Sequence, residues 1–233
     1  MHSRWEQGNL VFWDTHRHRI VDVIGPNVIY RFANFGNVVQ PNTIDPDGWT
    51  TTVVEAGAGT SEIDPSATQD VIATIVTAAN ENDGAQSQAP GAAFKCVSGI
   101  RFYLGLLFQT ADPTECDLLF GACITDTTLL GGMSDGTYME KLDAAALVSG
   151  VTEKDSSEEQ TDSLGTLVAS TDMYWEMFFD GTSVHFYVDG VLAASHSTTL
   201  CDDEMLRLSI AFLAGEAAAK TLSIKRLAGF VWT

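Results

Sequence analysis

The residues of this 233-residue chain with chemistry to offer are five histidines, four cysteines and 31 acidic side chains. Their spacing decides what that chemistry is. His16 and His18 alternate, so on a strand both imidazoles share one face, a spacing that binds a metal if a third ligand arrives from elsewhere; no such partner is evident in the sequence, and no metal is assigned. His185 and His196 fall in successive apolar runs and face one another if the runs pair, but spacing places no Ser, Cys or Asp beside them at triad geometry. Glu176 is the one acid within its apolar run, so no second carboxylate comes with it for acid–base work. Asp126, Asp135, Asp202, Asp203 and Glu204 are available to hold calcium or sugar on loops. Asp135-Gly136 and Asp202-Asp203-Glu204 also read as ordinary turns. Gly57-Ala58-Gly59-Thr60 lacks the lysine and following helix of a phosphate loop, which excludes nucleotide chemistry. No catalytic residue and no cofactor is assigned.

Cys96, Cys116, Cys123 and Cys201 form no C-x-x-C pair, and three of them lie in apolar, strand-like stretches. They read as buried free thiols, which fits assembly in a reducing cytoplasm.

The elements around these residues are strands. Met173–Phe179 ends at Asp180-Gly181, Ser183–Val188 ends at Asp189-Gly190, and Val191–His196 follows, so three antiparallel strands form a meander with Asp-Gly turns. Met205–Leu213 and Thr221–Trp232 alternate apolar and polar positions, and the alanine-rich Gly215–Lys220 between them is expected to form a helical turn. Upstream, Thr50–Ala56, Val71–Ala78, Ala92–Gln109 and Cys116–Thr125 are predicted strands, with Gly99 and Gly105 bending the third. Asn80–Gly91 and the acidic Glu153–Asp162 read as polar loops. About ten strands imply an all-β sandwich or jelly roll, predicted as one domain over residues 41–233.

Residues 1–40 read as a separate N-terminal β-hairpin arm. Leu10–Trp13, Ile20–Ile24 and Val28–Phe32 are its strands, and so small a sheet needs a larger surface to lie against. The formal net charge is −19, but residues 1–31 hold four arginines against three acids, which leaves −20 on the remainder. Such a body repels nucleic acid and anionic membranes, so neither is an expected partner. No run is apolar enough to span a bilayer, and Met1–Glu6 lacks the order of a signal peptide; the expectation is a soluble, unexported protein.

Tyr174–Ser195 resembles the strand pattern of concanavalin A-like and laminin-G-like domains. Three further stretches, Leu119–Ala122 with Ile124–Asp126, Ser134–Lys141, and Gly215–Leu222, are similar to those of tailed-bacteriophage capsid decoration or stabilising proteins. The likeness covers about residues 90–233. It implies a concanavalin A-like jelly-roll sandwich on the outer capsid surface of a virion, cementing the major capsid protein in clusters of sister subunits, with trimers favoured over dimers. Glycanases built on this sandwich carry E-x-D-x-x-E along one strand, to set an acid and a base or nucleophile about 5–10 Å apart; no such run is expected in this chain.

The reading is therefore of a non-enzymatic structural protein. Trp5, Phe12, Trp13, Tyr30 and Phe32 are the predicted aromatic anchors of the capsid or subunit interface, with Arg17 and Arg19 setting electrostatic register. The competing assignment puts the same rings in the sandwich core. The alternative function is a lectin-like virion module that binds glycan, with or without calcium, and a glycan hydrolase ranks last.

Overall fold

A computed structural model describes residues 2–6, 9–14, 19–24, 28–33, 49–57, 59–65 and 70–233. His16, Arg17 and His18 lie outside the described residues, as do 34–48, where the predicted boundary between arm and sandwich falls. For Trp5, Trp13, Arg19, Tyr30 and Phe32 only the backbone is described.

Among the described residues the chain is all β, without a helix. The N-terminal strands are β1 (His2–Glu6), β2 (Asn9–Asp14), β3 (Arg19–Ile24) and β4 (Val28–Ala33). Then come β5 (Thr50–Val54), β6 (Glu62–Pro65), β7 (Ala73–Val76), β8 (Gly84–Phe94), β9 (Arg101–Thr110) and β10 (Cys116–Cys123). The last eight are β11 (Gly136–Lys141), β12 (Leu147–Lys154), β13 (Ser157–Thr166), β14 (Met173–Phe179), β15 (Val184–Val188), β16 (Val191–His196), β17 (Leu206–Ala214) and β18 (Thr221–Trp232).

Two antiparallel sheets carry the core. One is seven-stranded, in the order β13-β12-β11-β10-β17-β8-β5; the other runs β16-β15-β14-β9-β18-β7-β6, with β4 also on β18. The period-2 alternation of the sequence fixes which face each residue takes. In β10 and β17, Leu118, Phe120, Leu208, Ile210 and Phe212 point inward, to meet Phe102, Leu104, Leu106, Phe108, Trp175 and Met177 of β9 and β14. Trp175 is fully buried and packs edge-on against Phe108, with ring centroids 4.9 Å apart.

The meander predicted for β14–β16 is present. Asp189 and Gly190 have φ of 52° and 78°, the left-handed pair that a two-residue hairpin turn requires. Four segments differ from expectation. Ala92–Gln109 is not one bent strand: β8 ends at Phe94 and β9 starts at Arg101, in opposite sheets, joined through a turn at Gly99 (φ 88°). Asn80–Gly91 is not a loop, because from Gly84 it is a central strand whose polar side chains are hydrogen-bonded. Glu153–Asp162 is the β12–β13 hairpin, turning at Asp155 and Ser156 with φ of 51° and 61°. Gly215–Lys220 is irregular rather than helical; buried Lys220 is held there by Asp112 at 2.5 Å and by Glu216.

The N-terminal strands form a sheet β1-β2-β3. Val11 is fully buried in a cluster with Tyr103, Ala228, Phe230 and Trp232, on the outer side of the β9–β18 pair, and Asn9 Nδ2 donates to the carbonyl of Thr233 at 3.2 Å. Phe12 is half-buried.

Trp175→Ala should lower the free energy of unfolding by about 3–5 kcal/mol, since a fully enclosed ring leaves a cavity that the two sheets cannot close. A shift of the urea midpoint at unchanged slope checks it.

Candidate functional site

Polar groups converge on the outer face of the seven-stranded sheet. With Ala85 and Ile210 facing the core, register puts Gln86 and Gln88 of β8, Ser209 of β17, and Thr50 and Thr52 of β5 on this outer face. The segment that follows β10 crosses over it. Gln86 donates from Nε2 to the Asp126 carbonyl (3.2 Å) and accepts at Oε1 from the Leu129 N–H (2.9 Å). Gln88 donates to the Ile124 carbonyl (2.7 Å) and to Ser209 Oγ (2.9 Å), and accepts from the Asp126 N–H (3.0 Å). Leu129 and Met133 then anchor the segment on Leu119, Cys123, Tyr138, Val151 and Ala211.

Between this segment and β5 lies a cleft of about 280 Å³, lined by Thr50, Thr52, Gln86, Gln88, Thr125, Asp126 and Thr127. Arg207 borders it, donating from Nε to Thr125 Oγ1 at 2.8 Å. Asp126 is fixed by the Thr128 N–H on its Oδ1 at 2.7 Å. Such a lining of hydroxyls, amides and one carboxylate suits a neutral, hydroxyl-rich ligand. Its size is at the small end of ligand pockets, which run to about 300–1,000 Å³.

At the far end of the same face, β11–β13 present Glu140, Glu153, Glu158 and Asp162, with Asp117 on β10. Tyr138 donates to Glu153 Oε2 at 3.2 Å, and Ser149 to Asp162 Oδ1 at 2.9 Å. Burial, reinforced by Glu158, Asp117, Glu153 and Asp162, pushes the Glu140 carboxyl up to about 7. Contrary to the expectation from sequence, the order E-x-D-x-x-E does occur, as Glu153, Asp155 and Glu158 in the segment read as a loop. It spans the hairpin turn: Glu153 and Glu158 are cross-strand partners and Asp155 sits in the turn, so the three acids do not line one strand.

The other chemical candidates are dispersed. Glu176 is 2% exposed on the outer face of the other sheet, accepting from Tyr103 Oη at 2.6 Å. His185 and His196 do not face each other: His185 is paired with Ser195 and His196 with Val184, on opposite sides of the sheet. Buried His196 is held between Thr152 Oγ1 (3.1 Å) and Thr161 Oγ1 (2.9 Å), and burial lowers its pKa. His185 bridges Asp180 Oδ2 (3.1 Å) and Ser195 Oγ (2.8 Å), an arrangement spacing alone did not reveal. Asp180 also caps Thr182 and Ser183, so this chain of bonds ties the β14–β15 turn to β16. All four cysteines are buried and unpaired, and burial pushes Cys96 up to about 12 and Cys116 to about 11.

No protein-family model matches the chain, and no curated protein matches it in sequence. Solved structures do. The carbohydrate recognition domain of Emp47p is similar at a TM-score of 0.60 and 12% identity, over 89% of this chain and 98% of that one. The fold is a concanavalin A-like sandwich. A β-glucanase of Bacillus licheniformis gives 0.57 and 13% identity, over 85% and 96%. A protein of unknown function from Shewanella oneidensis MR-1 gives 0.57 and 14%, over 89% and 88%. At such identities the likeness is one of fold; lectin-type and hydrolytic proteins share it. These likenesses show no link to a capsid.

Glu140 favours its protonated form in the folded state, so its contribution to stability is present at low pH and is lost as pH rises from about 4.5 through about 7. Glu140→Gln should therefore stabilise the protein above pH 7 and flatten this part of the curve. Thermal melts across a pH series check it.

Proposed function

We propose that this protein is a carbohydrate-binding module whose ligand sits in the cleft formed by Thr50, Thr52, Thr125, Asp126 and Thr127. The observation that carries this reading is the cleft's lining of hydroxyls, amides and one carboxylate, held rigid because Gln86 and Gln88 fasten Asp126 and Leu129 to the sheet. Sugars are recognised by donor–acceptor sets of this kind, and a preorganised set loses little on binding. That the carbohydrate recognition domain of Emp47p shares the fold adds to it. Among the described residues no aromatic ring lines the cleft, so a single site binds weakly, at about millimolar Kd, and useful adhesion comes from several copies acting together.

The sequence likeness to capsid decoration proteins supplies a setting in which many copies are displayed. There the N-terminal region, with Trp5, Phe12, Trp13, Arg17, Arg19, Tyr30 and Phe32, contacts major capsid protein or sister subunits. Sedimentation of the protein with undecorated shells tests this: saturable, stoichiometric binding is expected, and its absence at high concentration removes the capsid role.

A glycan array probed with a multivalent form, with and without calcium, tests the module itself. Selective binding is expected, with Asp126→Ala or Thr52→Ala weakening it about tenfold, the loss of one hydrogen bond to ligand. Uniformly blank wells would end the carbohydrate reading, and shortened products in the bound wells would replace it with hydrolysis.

A further inference from the structure

Away from the cleft, four segments meet at one corner of the sandwich. The end of β8 brings Lys95 and Cys96, the start of β11 brings Asp135 and Thr137, the β12–β13 turn brings Lys154 and Asp155, and the segment before β17 brings residues 201–204. They are bound together by polar contacts. The Cys96 N–H donates to the Cys201 carbonyl at 2.9 Å, Lys95 Nζ to the Asp203 carbonyl at 2.8 Å, and the Asp155 N–H to Asp135 Oδ1 at 3.1 Å.

At this junction an Asp135 carboxylate oxygen, Cys201 Sγ and an Asp203 carboxylate oxygen all lie within 4.8 Å of one another. Two of these donors are enclosed: Asp135 is 6% exposed and Cys201 0%, while Asp203 stands at the surface. Asp135 Oδ2 also accepts from Ser134 Oγ at 2.7 Å, and each of its carboxylate oxygens keeps a further lone pair for a cation. Among the described residues the sulfur's one hydrogen bond is a long contact of 3.8 Å to the Glu204 carbonyl. Lys154 Nζ is drawn to Asp202 and stands 3.8 Å from Asp203 Oδ1, and Lys95 Nζ donates to the Asp203 carbonyl; among the described residues neither forms an ion pair with Asp135.

We propose that Asp135, Cys201 and Asp203 form a divalent-cation site, with zinc as the preferred ion, which staples the segment before β17 to the start of β11. A thiolate with two carboxylates selects zinc over calcium or magnesium, which take oxygen alone. Zinc bonds of about 2.3 Å to sulfur and 2.0–2.2 Å to carboxylate oxygen require the donors to draw together by about an ångström. The exposed Asp203 supplies that movement, and water fills the fourth position. On binding, the Cys201 S–H bond breaks, the sulfur keeps the electron pair to bond the metal, and the proton leaves to solvent. Affinity therefore rises with pH. The apo thiol holds its proton firmly, since burial, with Asp135, Asp203 and Glu204 adding to it, pushes it up to about 11.

The test is cobalt(II) and zinc titration of the full chain, stripped of metal and kept reduced. One equivalent of cobalt should bind and produce thiolate-to-cobalt charge-transfer absorption in the near ultraviolet, zinc should displace it, and zinc should raise the melting temperature. The absorption should vanish in Cys201→Ser and persist in Cys96→Ser. Asp203→Asn, a surface change that leaves the core intact, should weaken binding at least tenfold, as losses at metal sites do, and it decides the matter if Cys201→Ser fails to fold. Cobalt bound without the thiolate band, as ligation by histidines such as His16 and His18 would give, overturns the proposal. So does affinity unchanged by Asp203→Asn, or no binding at all.

Discussion

The constraint on which the functional face depends is that no backbone group of a segment lying across a sheet can go without a partner. The segment after β10 crosses the outer face of β8 and β17 where ladder hydrogen bonds are already taken by neighbouring strands. Gln86 and Gln88 resolve this with side-chain amides, each offering a donor and an acceptor to the crossing backbone at Ile124, Asp126 and Leu129. The two amides mimic one rung of a further strand. Because they are two residues apart on β8, they stand on the same face, and the segment is held at a fixed height above the sheet. The cleft beside β5 is the space this height leaves.

The same arrangement accounts for how the sequence could be read. Where burial means apolar contact, as in β14 to β18, alternation and the Asp-Gly turns make the strands legible, down to the left-handed pair at Asp189 and Gly190. The concanavalin A-like class follows from those strands. β8 was illegible because its inner positions are small (Ala85, Ser87, Ala89) and its outer ones are amides. A glutamine that completes another segment's backbone is indistinguishable in sequence from one facing water. β12–β13 was illegible for a related reason: its edge position lets acids occupy strand positions that would otherwise be apolar.

The candidate sites were legible as residue types rather than as groups. Asp126 and Asp135 were named as loop acids, but that one lines a cleft while the other meets Cys201 depends on contacts between segments some 40 to 120 residues apart. Likewise, His185 and His196 were placed in adjacent strands, yet the pairing of Val184 with His196 sends one imidazole into the core and leaves the other on the surface.

Among the described residues β13 ends the seven-stranded sheet, with its outer edge along Ser157–Thr166 unpaired. An edge of that length is a template on which another chain can add a strand. Here Glu158, Glu159 and Asp162 are spread along it, so two copies approaching edge to edge bring like charges together. Crowded at high local density, such molecules repel along this border, which keeps their sheets from fusing.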